Sequence, residues 1–341
     1  MRPARGRVRR SCLHRRSWTI SRRHGSRTGA GFGGTCVNVG CVPKKLMWLA
    51  TSLRESVVGP TSLASGYGLN VPDHAGKVDW AALKKRRDAY VAGLNNSYEG
   101  NWTKAGIEVV VGAARFLDPH TIQVDSDDGS SLRLTAAKVL IAVGGSPKLP
   151  RIPGIELAIS SDGFFDLPSQ PRKVAVVGAG YIAVEMAQIL HGMGSEVHLF
   201  FRGATVLRHG FDPFVVETLM AEMKAHGPAL HPASTPVRLV SEGSTTTLVI
   251  SSADGTEHEH RGFECVLMAT GREPNTSTLG LASVGVEQTS TGHVVVDAFE
   301  NTSVADIFAV GDVTSTGFEL TPVAIASGRR LADRLFGGEL T

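Results

Sequence analysis

The apolar residues in the first half of the chain predict two helices followed by short strands. Pro43 suits the first turn of a helix that continues through Leu46, Met47 and Leu53. A second helix is predicted after Asp79, a suitable N-cap. Its inward face is marked at steps of three and four by Trp80, Leu83, Arg87, Val91, Leu94 and Tyr98. We interpret the basic run at 84–87 as a solvated face, and we predict strands at 109–111, 121–124 and 138–143.

The second half of the chain places a strand, a glycine-rich turn, a helix and another strand in direct succession. The apolar strand 173–177 leads into Gly178-Ala179-Gly180-Tyr181-Ile182-Ala183, and the helix that follows ends near Gly192. A further strand is predicted at 196–201, a hairpin turn at Asp254-Gly255, and later strands at 266–269 and 307–309. This order of elements predicts an α/β fold.

The glycine-rich turn predicts a dinucleotide site. A bare backbone at Gly178 and Gly180 and a helix N-terminus suit a pyrophosphate, and Ala183 takes the place of the third glycine. A unit that binds NAD has an acid at the end of the second strand, whereas this chain has Arg202 there and Arg208 six residues later. Two guanidinium groups suit a 2′-phosphate, so we expect NADPH. Two arginines on a surface loop are the alternative interpretation.

Cys36 and Cys41 carry the second candidate chemistry. They are separated by four residues, next to a glycine-rich loop and a predicted helix start. Lys44, Lys45 and the helix N-terminus supply a positive field that favours a thiolate, as a redox disulfide requires. A zinc site normally needs a second cysteine pair, which the chain lacks, so no metal is expected. Two inert buried thiols are the alternative.

The run Gly33-Gly34-Thr35-Cys36-Val37-Asn38-Val39-Gly40-Cys41-Val42-Pro43-Lys44-Lys45 resembles the redox-active site of the flavin- and NADPH-dependent glutathione reductases. The resemblance extends from residue 33 to about 337. It implies two Rossmann-like domains, one for FAD and one for NADPH, with the NADPH domain inserted in the FAD domain. The implied boundaries are 33–150 and 276–341 for FAD and 151–275 for NADPH, with 1–32 as a basic tail.

The resemblance also implies roles for individual residues. Cys36 would attack the substrate disulfide, and Cys41 would lie against the flavin. Lys44 would lie beside the flavin N5 and pair with Glu185, and Tyr181 would gate the nicotinamide pocket. Further cofactor contacts are implied at Gly34, Thr35, Gly144, Gly271, Asp312 and Thr321, and glutathione contacts at Tyr98 and Arg329. The loop between Asp312 and Thr321 is one residue longer than is usual in the family.

Related enzymes are partly excluded. Lipoamide dehydrogenases and mercuric reductases usually have serine at the position of Lys44. Thioredoxin reductases of high molecular weight share the Pro-Lys-Lys step but usually lack Trp48. Trypanothione reductases share the cysteine motif and differ at positions that contact the substrate.

The charge is unevenly distributed along the 341 residues. Residues 1–30 contain ten arginines and no acid, whereas the remaining residues hold 25 basic and 32 acidic side chains. The leader is therefore interpreted as a transit peptide, a basic arm, or a segment that replaces a lost one. Without interleaved aromatic residues a nucleic-acid role is not expected, and no apolar run is long enough to span a membrane.

Two features of the family are not found in this sequence. Residues 1–32 are expected to contain no strand and no glycine-rich turn for the flavin pyrophosphate. The resemblance also implies a C-terminal dimerisation domain with an acid–base histidine, which we expect this sequence to lack. His231-Pro232 and His258-Glu259-His260 are interpreted as structural. We therefore expect a sequence truncated at both ends, with at most trace glutathione reductase activity.

The function predicted from this resemblance is reduction of glutathione disulfide by NADPH and FAD, in a family of homodimers. The alternatives are a non-catalytic protein that binds NADPH, or a disulfide reductase of the thioredoxin or trypanothione reductase type. The expected location is the cytoplasm, or a mitochondrion or plastid if the arginine-rich leader is a transit peptide.

Overall fold

The computed structural model describes residues 17–21, 31–58, 66–69, 76–207 and 210–338. The helices in these ranges, in chain order, are α1 (Gly34–Val39), α2 (Cys41–Val58), α3 (Trp80–Lys104), α4 (Ser161–Phe164), α5 (Tyr181–Gly192), α6 (Pro213–His226) and α7 (Thr321–Ala332). Short 3₁₀ turns occupy Ile155–Leu157, Leu281–Val284 and Gly311–Val313, and a π-helical turn, Asp333–Gly337, follows α7.

The strands are short and fall into six sheets. In chain order they are β1 (Ser17–Ser21), β2 (Ile107–Val111), β3 (Ala113–Asp118), β4 (Thr121–Asp125), β5 (Ser131–Thr135), β6 (Val139–Ile141), β7 (Gly145–Pro147), β8 (Ile159–Ser160), β9 (Lys173–Val177), β10 (Glu196–Phe200), β11 (Ala229–His231), β12 (Thr235–Glu242), β13 (Thr245–Ser251), β14 (Glu257–Phe263), β15 (Cys265–Met268), β16 (Arg272–Pro274) and β17 (Ile307–Ala309).

The largest sheet belongs to what we call the nucleotide unit, residues 148–271. Five parallel strands lie in the order β11-β10-β9-β15-β8. Its central strands are mostly apolar and buried, because one face packs on α5 and the other on the antiparallel meander β12-β13-β14. The glycine-rich turn between β9 and α5 therefore opens at the carboxyl edge of this sheet, where ligands of α/β proteins bind.

The rest of the described chain forms a second core. The antiparallel meander β3-β4-β5 packs its inward residues, among them Ile122 and Val124, against the parallel pair β6 and β17. Helices α2 and α3 lie between this part and α5, and they bury Met47 and Trp80 in the same cluster as the nucleotide unit. The helices that carry the cysteines and the dinucleotide turn thus share one core.

Two short strands join the two parts of the molecule. Strand β7 enters the nucleotide unit and β16 leaves it, and the two pair antiparallel, with Gly145 opposite Pro274 and Pro147 opposite Arg272. Beyond them, the Lys148 amide donates to the Gly271 carbonyl at 2.9 Å. The entry and the exit of the nucleotide unit therefore lie side by side.

Strand β1 corrects one expectation from the sequence. We expected no strand in residues 1–32, but Ser17–Ser21 pairs in parallel register with Ile107–Val111. Trp18, Thr19 and Ile20 are residues that favour strands, and a five-residue ladder on β2 is enough to hold so short a segment. The strand was missed because it has only two large apolar side chains.

The α/β class is confirmed, as are the second helix with its Asp79 cap and the hairpin at Asp254-Gly255. The Asp79 carboxylate accepts from the Ala82 amide at 2.9 Å. The basic run at 84–87 is not uniformly solvated, however, because Arg87 is buried. No helix in the described ranges is long and apolar enough to cross a bilayer.

Candidate active site

The two cysteines lie on two helices that meet at a break. Cys36 is in α1 and Cys41 is the first residue of α2, with Gly40 between the helices. A Cβ atom at Gly40 would lie 2.8 Å from the Thr35 carbonyl oxygen and 3.0 Å from the Cys36 Cα. Only glycine permits this close approach, which folds α1 back on the start of α2 and brings the thiols into hydrogen-bond contact.

The environment of Cys41 disfavours its thiolate. Partial burial of the thiol group, followed by the hydrogen bond and the charge of Cys36, raises the pKa of Cys41 to about 11, and the nearby Lys44 opposes this only in part. We expected Cys36 to be the outer thiol and Cys41 the shielded one. Cys41 is exposed and Cys36 is half-buried. The shielding of Cys41 that a bound flavin would supply stays a prediction.

Lys44 connects the cysteine helix to the nucleotide unit. Its Nζ lies 2.7 Å from the Glu185 Oε1, across the contact between α2 and α5. Lys44 lies one turn after Cys41 in α2, and Glu185 lies one turn after Tyr181 in α5. The ion pair predicted from the sequence is therefore present, directly beside the cysteines.

Charged groups gather around the Tyr181 hydroxyl. Partial burial raises the pKa of Tyr181, the positive charge of Arg272 opposes the shift, and the carboxylates of Glu319 and Asp312 add to it. The Cys41 thiol is also within electrostatic range. Tyr181 belongs to the nucleotide unit, whereas Arg272 and Asp312 follow it in the chain. The fold therefore brings this group together from the nucleotide unit and from the rest of the described chain.

The turn before α5 has the shape that a dinucleotide requires. Gly178 has φ +149°, and a Cβ there would lie 2.2 Å from the Ala269 carbonyl oxygen and 3.2 Å from the Ala183 Cβ. The helix therefore packs closely on the ends of β9 and β15. Among the described residues no side chain caps α5 at Gly180, which leaves its first backbone N–H groups available to a phosphate.

Arg202 follows β10 and is exposed, two residues after Phe200. No acid occupies the end of this strand, as the sequence indicated. Arg208, the second predicted phosphate ligand, lies outside the described residues. The preference for NADPH therefore stays a prediction.

Two asparagines anchor the loop that precedes α1. The Asn38 amide donates to the carbonyls of Gly31, Phe32 and Gly34 at 3.1, 3.0 and 2.9 Å. Asn95 from α3 donates to the same Phe32 carbonyl at 2.9 Å. Gly34 and Thr35, which we predicted to contact a cofactor, are the first two residues of the helix that this loop positions.

The remaining predicted residues are spread around the same region. Tyr98 on α3 lies against Gly33, beside the cysteine loop. Gly144 and Gly271 flank the paired strands β7 and β16, and Thr321 begins α7. Arg329 is exposed in the last turn of α7. The roles of these residues stay predictions, as do the domain boundaries.

The residues present fit the two cofactors to different extents. The turn at Gly178, with its uncapped helix, fits the pyrophosphate of a nicotinamide dinucleotide. Lys44, held by Glu185 and adjacent to Cys41, fits the ring end of a flavin, whose carbonyl and nitrogen atoms accept hydrogen bonds. The unit β9–turn–α5 is described from its strand to its helix, whereas residues 22–30, between β1 and α1, lie outside the described residues. Within these residues no His, Cys, Asp or Glu side chains group as metal ligands.

Sequence reasoning missed three polar residues near this site. Arg87 and Asn95 are buried on the inward face of α3, and Arg272 lies near Tyr181. Arg87 was placed on the inward face by its spacing, yet it was also counted in the solvated run. A polar residue in register with apolar ones was the signal that could have identified Arg87 and Asn95.

Comparison with known proteins agrees with this geometry. Residues 19–328 match the pyridine nucleotide-disulphide oxidoreductase family. The chain is 42% identical over 316 residues to the glutathione reductase of Yarrowia lipolytica, and 42% identical over 308 residues to that of Schizosaccharomyces pombe. These alignments cover 91% and 90% of this chain, and 66% and 64% of the two relatives.

A solved structure supports the fold. The Cu(II) complex of a cysteine-to-serine mutant of RclA, an HOCl-induced flavoprotein disulfide reductase from Escherichia coli, superposes with a TM-score of 0.79 at 23% identity. The match covers 94% of this chain and 66% of that one. The chain therefore belongs to the pyridine nucleotide-disulphide oxidoreductase family. Within that family its sequence is of the glutathione reductase type, which confirms the predicted resemblance, and it spans about two thirds of the length of the relatives it matches.

Proposed function

We propose that this chain carries the nicotinamide site and the redox cysteines of an enzyme that reduces glutathione disulfide with NADPH. The observation that supports this most directly is the Lys44–Glu185 ion pair. It lies where the cysteine helix meets the dinucleotide helix, so one charged contact joins the two centres that such a reaction requires.

FAD, when bound, would pass the reducing equivalents of NADPH to the cysteine pair. Glu185 holds the Lys44 ammonium at the start of α2, where Lys44 would contact the flavin ring if FAD is bound. Tyr181 covers the nicotinamide site from the first turn of α5. The first turn of α5 binds the pyrophosphate, and Arg202 with Arg208 binds the 2′-phosphate.

The cysteines carry out the exchange with the substrate. Cys36 as thiolate attacks one sulfur of glutathione disulfide, which forms a mixed disulfide and releases one glutathione thiolate. Cys41 then attacks the Cys36 sulfur, releases the second glutathione and leaves the Cys36–Cys41 disulfide. Each released thiolate takes a proton, so two electrons and two protons reach the substrate per cycle. Tyr98 and Arg329 would contact the peptide, with Arg329 pairing with a carboxylate.

The test uses the purified full chain incubated with FAD. We expect flavin absorbance that stays with the protein, and Cys36 and Cys41 that become accessible to alkylation after NADPH is added. Whatever NADPH oxidation depends on glutathione disulfide in the parent, including the trace activity expected from the sequence, should be abolished by Cys36→Ser and kept by the buried control Cys265→Ala. Protein that binds NADPH but takes up no flavin and leaves its cysteines oxidised would support the alternative, a non-catalytic nucleotide-binding protein.

Three finer points belong to the same proposal. Faster turnover with thioredoxin or trypanothione disulfide than with glutathione disulfide would favour the related reductases.

We propose a homodimer, which light scattering after gel filtration would test. We also propose a cytoplasmic location; a fluorescent fusion found in mitochondria or plastids would instead identify residues 1–30 as a transit peptide.

A further inference from the structure

Helix α3 carries two buried polar residues on its inward face. Arg87 is 3% exposed and Asn95 is 7% exposed, in the same stripe as Trp80 and Val91. Burying a guanidinium or an amide costs free energy unless its hydrogen bonds are satisfied. The partners that satisfy them therefore show what the two residues hold in place.

Asn95 ties α3 to the segment that carries Cys36. Its side-chain nitrogen donates to the Phe32 carbonyl at 2.9 Å, and Asn38 donates to the same oxygen. The Phe32 ring packs edge-on against Trp102 of α3, with ring centroids 5.3 Å apart. The two residues before α1 are thus fixed to α3 by a hydrogen bond and by ring packing.

Arg87 ties α3 to the segment that carries Cys41. Its Nη1 lies 3.3 Å from the Met47 sulfur, on the α2 helix that begins at Cys41. Its Nη2 donates to the Phe165 carbonyl in the nucleotide unit at 2.5 Å. The Asp88 carboxylate accepts from Arg87 Nε at 2.9 Å and places a negative charge beside the buried guanidinium. It also accepts from Lys84 at 2.6 Å. One guanidinium therefore joins three segments.

We propose that Arg87 and Asn95 are positioning residues that set the geometry of the cysteine pair. Through them, α3 holds α1 and α2 in a fixed position relative to each other. The two cysteine segments are linked covalently only through the break at Gly40. Fixing each of them to the same helix raises the effective concentration of one thiol at the other. This inference rests on the proposed redox role of Cys36 and Cys41.

The test measures the thiol–disulfide equilibrium of the protein with dithiothreitol. The Cys36–Cys41 bond forms while the bond of cyclic oxidised dithiothreitol breaks, and two electrons and two protons pass to the reagent. Alkylation and mass spectrometry give the equilibrium constant without flavin or NADPH. For Arg87→Met and for Asn95→Leu we expect disulfide formation to weaken by about threefold to tenfold, as the effective concentration falls. The neighbouring Arg86, which is exposed, provides the matched control Arg86→Met, expected to be unchanged.

The double variant separates positioning from simple stabilisation. If α3 must hold both cysteine helices at once, either substitution alone frees one cysteine to move relative to the other. The equilibrium constant for disulfide formation in Arg87→Met/Asn95→Leu should then fall no further than in the more affected single variant. Thermal unfolding of every variant is measured in parallel. Variants that unfold at lower temperature but keep the parent equilibrium constant would overturn the proposal.

Arg87→Lys covers the case in which Arg87→Met does not fold. It keeps a buried charge next to Asp88 but cannot reach both the Met47 sulfur and the Phe165 carbonyl, so an intermediate weakening is expected. An equilibrium constant for Arg87→Lys equal to that of the parent would contradict the inference. A parent protein that forms no Cys36–Cys41 disulfide would instead contradict the proposed function.

Discussion

The turn before α5 allows one prediction to be worked out in detail, because its two glycines are needed for different reasons. Gly178 has φ +149°, and an added Cβ would lie 2.2 Å from the Ala269 carbonyl oxygen. Gly180 has φ −80°, and nothing lies within 4 Å of the corresponding position. Alanine at 178 would therefore clash with backbone, whereas alanine at 180 would enter the space in front of the helix N-terminus.

The expected magnitudes follow from these distances. A residue other than glycine held at such a φ costs about 1–3 kcal/mol. The overlap with Ala269 requires a backbone shift that costs about 1–3 kcal/mol more. Gly178→Ala should therefore lower the free energy of unfolding by about 2–6 kcal/mol, a large part of the stability of a typical domain. Gly180→Ala should leave stability within about 0.5 kcal/mol of the parent.

The affinity for nucleotide should also distinguish the Gly180→Ala variant from the parent. A methyl group at 180 blocks the approach of a phosphate to the first N–H groups of α5, and each lost charge-assisted hydrogen bond weakens binding by about tenfold to a hundredfold. Urea unfolding gives the stabilities, and calorimetric titration with NADP⁺ gives the affinities. Equal stabilities for the two variants would refute the steric argument for Gly178. Parent-like affinity in Gly180→Ala would refute the argument that this turn is a pyrophosphate site.

Three further predictions concern single sites. In Arg202→Ala/Arg208→Ala, the ratio of the affinity for NADPH to that for NADH should fall by about 10²–10⁴, because each phosphate contact contributes about 1.5–3 kcal/mol. Equal affinities for the two nucleotides in the parent would contradict this prediction. Burial, and then the charges of neighbouring histidines, lowers the pKa of His231 from 6.5 to about 4. Because the unfolded chain takes up a proton that the folded chain does not, stability should fall by about 1–2 kcal/mol as the pH drops through this interval, after allowance for solvent screening. Urea unfolding should show a smaller fall in His231→Gln, and the same fall would exclude His231 as the cause. Iodoacetamide should label Cys36 before Cys41 in the reduced protein, because a thiol of pKa about 11 is about one part in a thousand thiolate near pH 8; peptide mapping that finds Cys41 labelled first would reverse the assignment of roles.

Local sequence patterns were sufficient to predict the parts of the fold that depend on neighbouring residues. The apolar run at 173–177, the glycines at 178 and 180, and the helix to Gly192 predicted a strand, turn and helix that are present. The Lys44–Glu185 contact, however, was predicted from the resemblance to a family. No periodicity relates two residues so far apart in the chain.

The features that were missed depend on tertiary contacts. Arg87 lies among charged residues in sequence but is buried by α2 and by the segment after α4, so its partners Met47 and Phe165 could not be predicted from the run. Strand β1 forms because β2 offers a partner edge.

The pairing of β7 with β16 bears on how such a protein arises and how it can be engineered. Since the two strands meet as a hairpin would, the host domain would need only a short turn in place of the whole of 148–271. Closing an insertion of this length adds little entropic cost, because that cost grows only with the logarithm of length. Removing the nucleotide unit would therefore leave one short gap for a turn to close. It would also expose the side of α2 and α3 that now packs on the unit, because Met47 and Trp80 belong to the shared core.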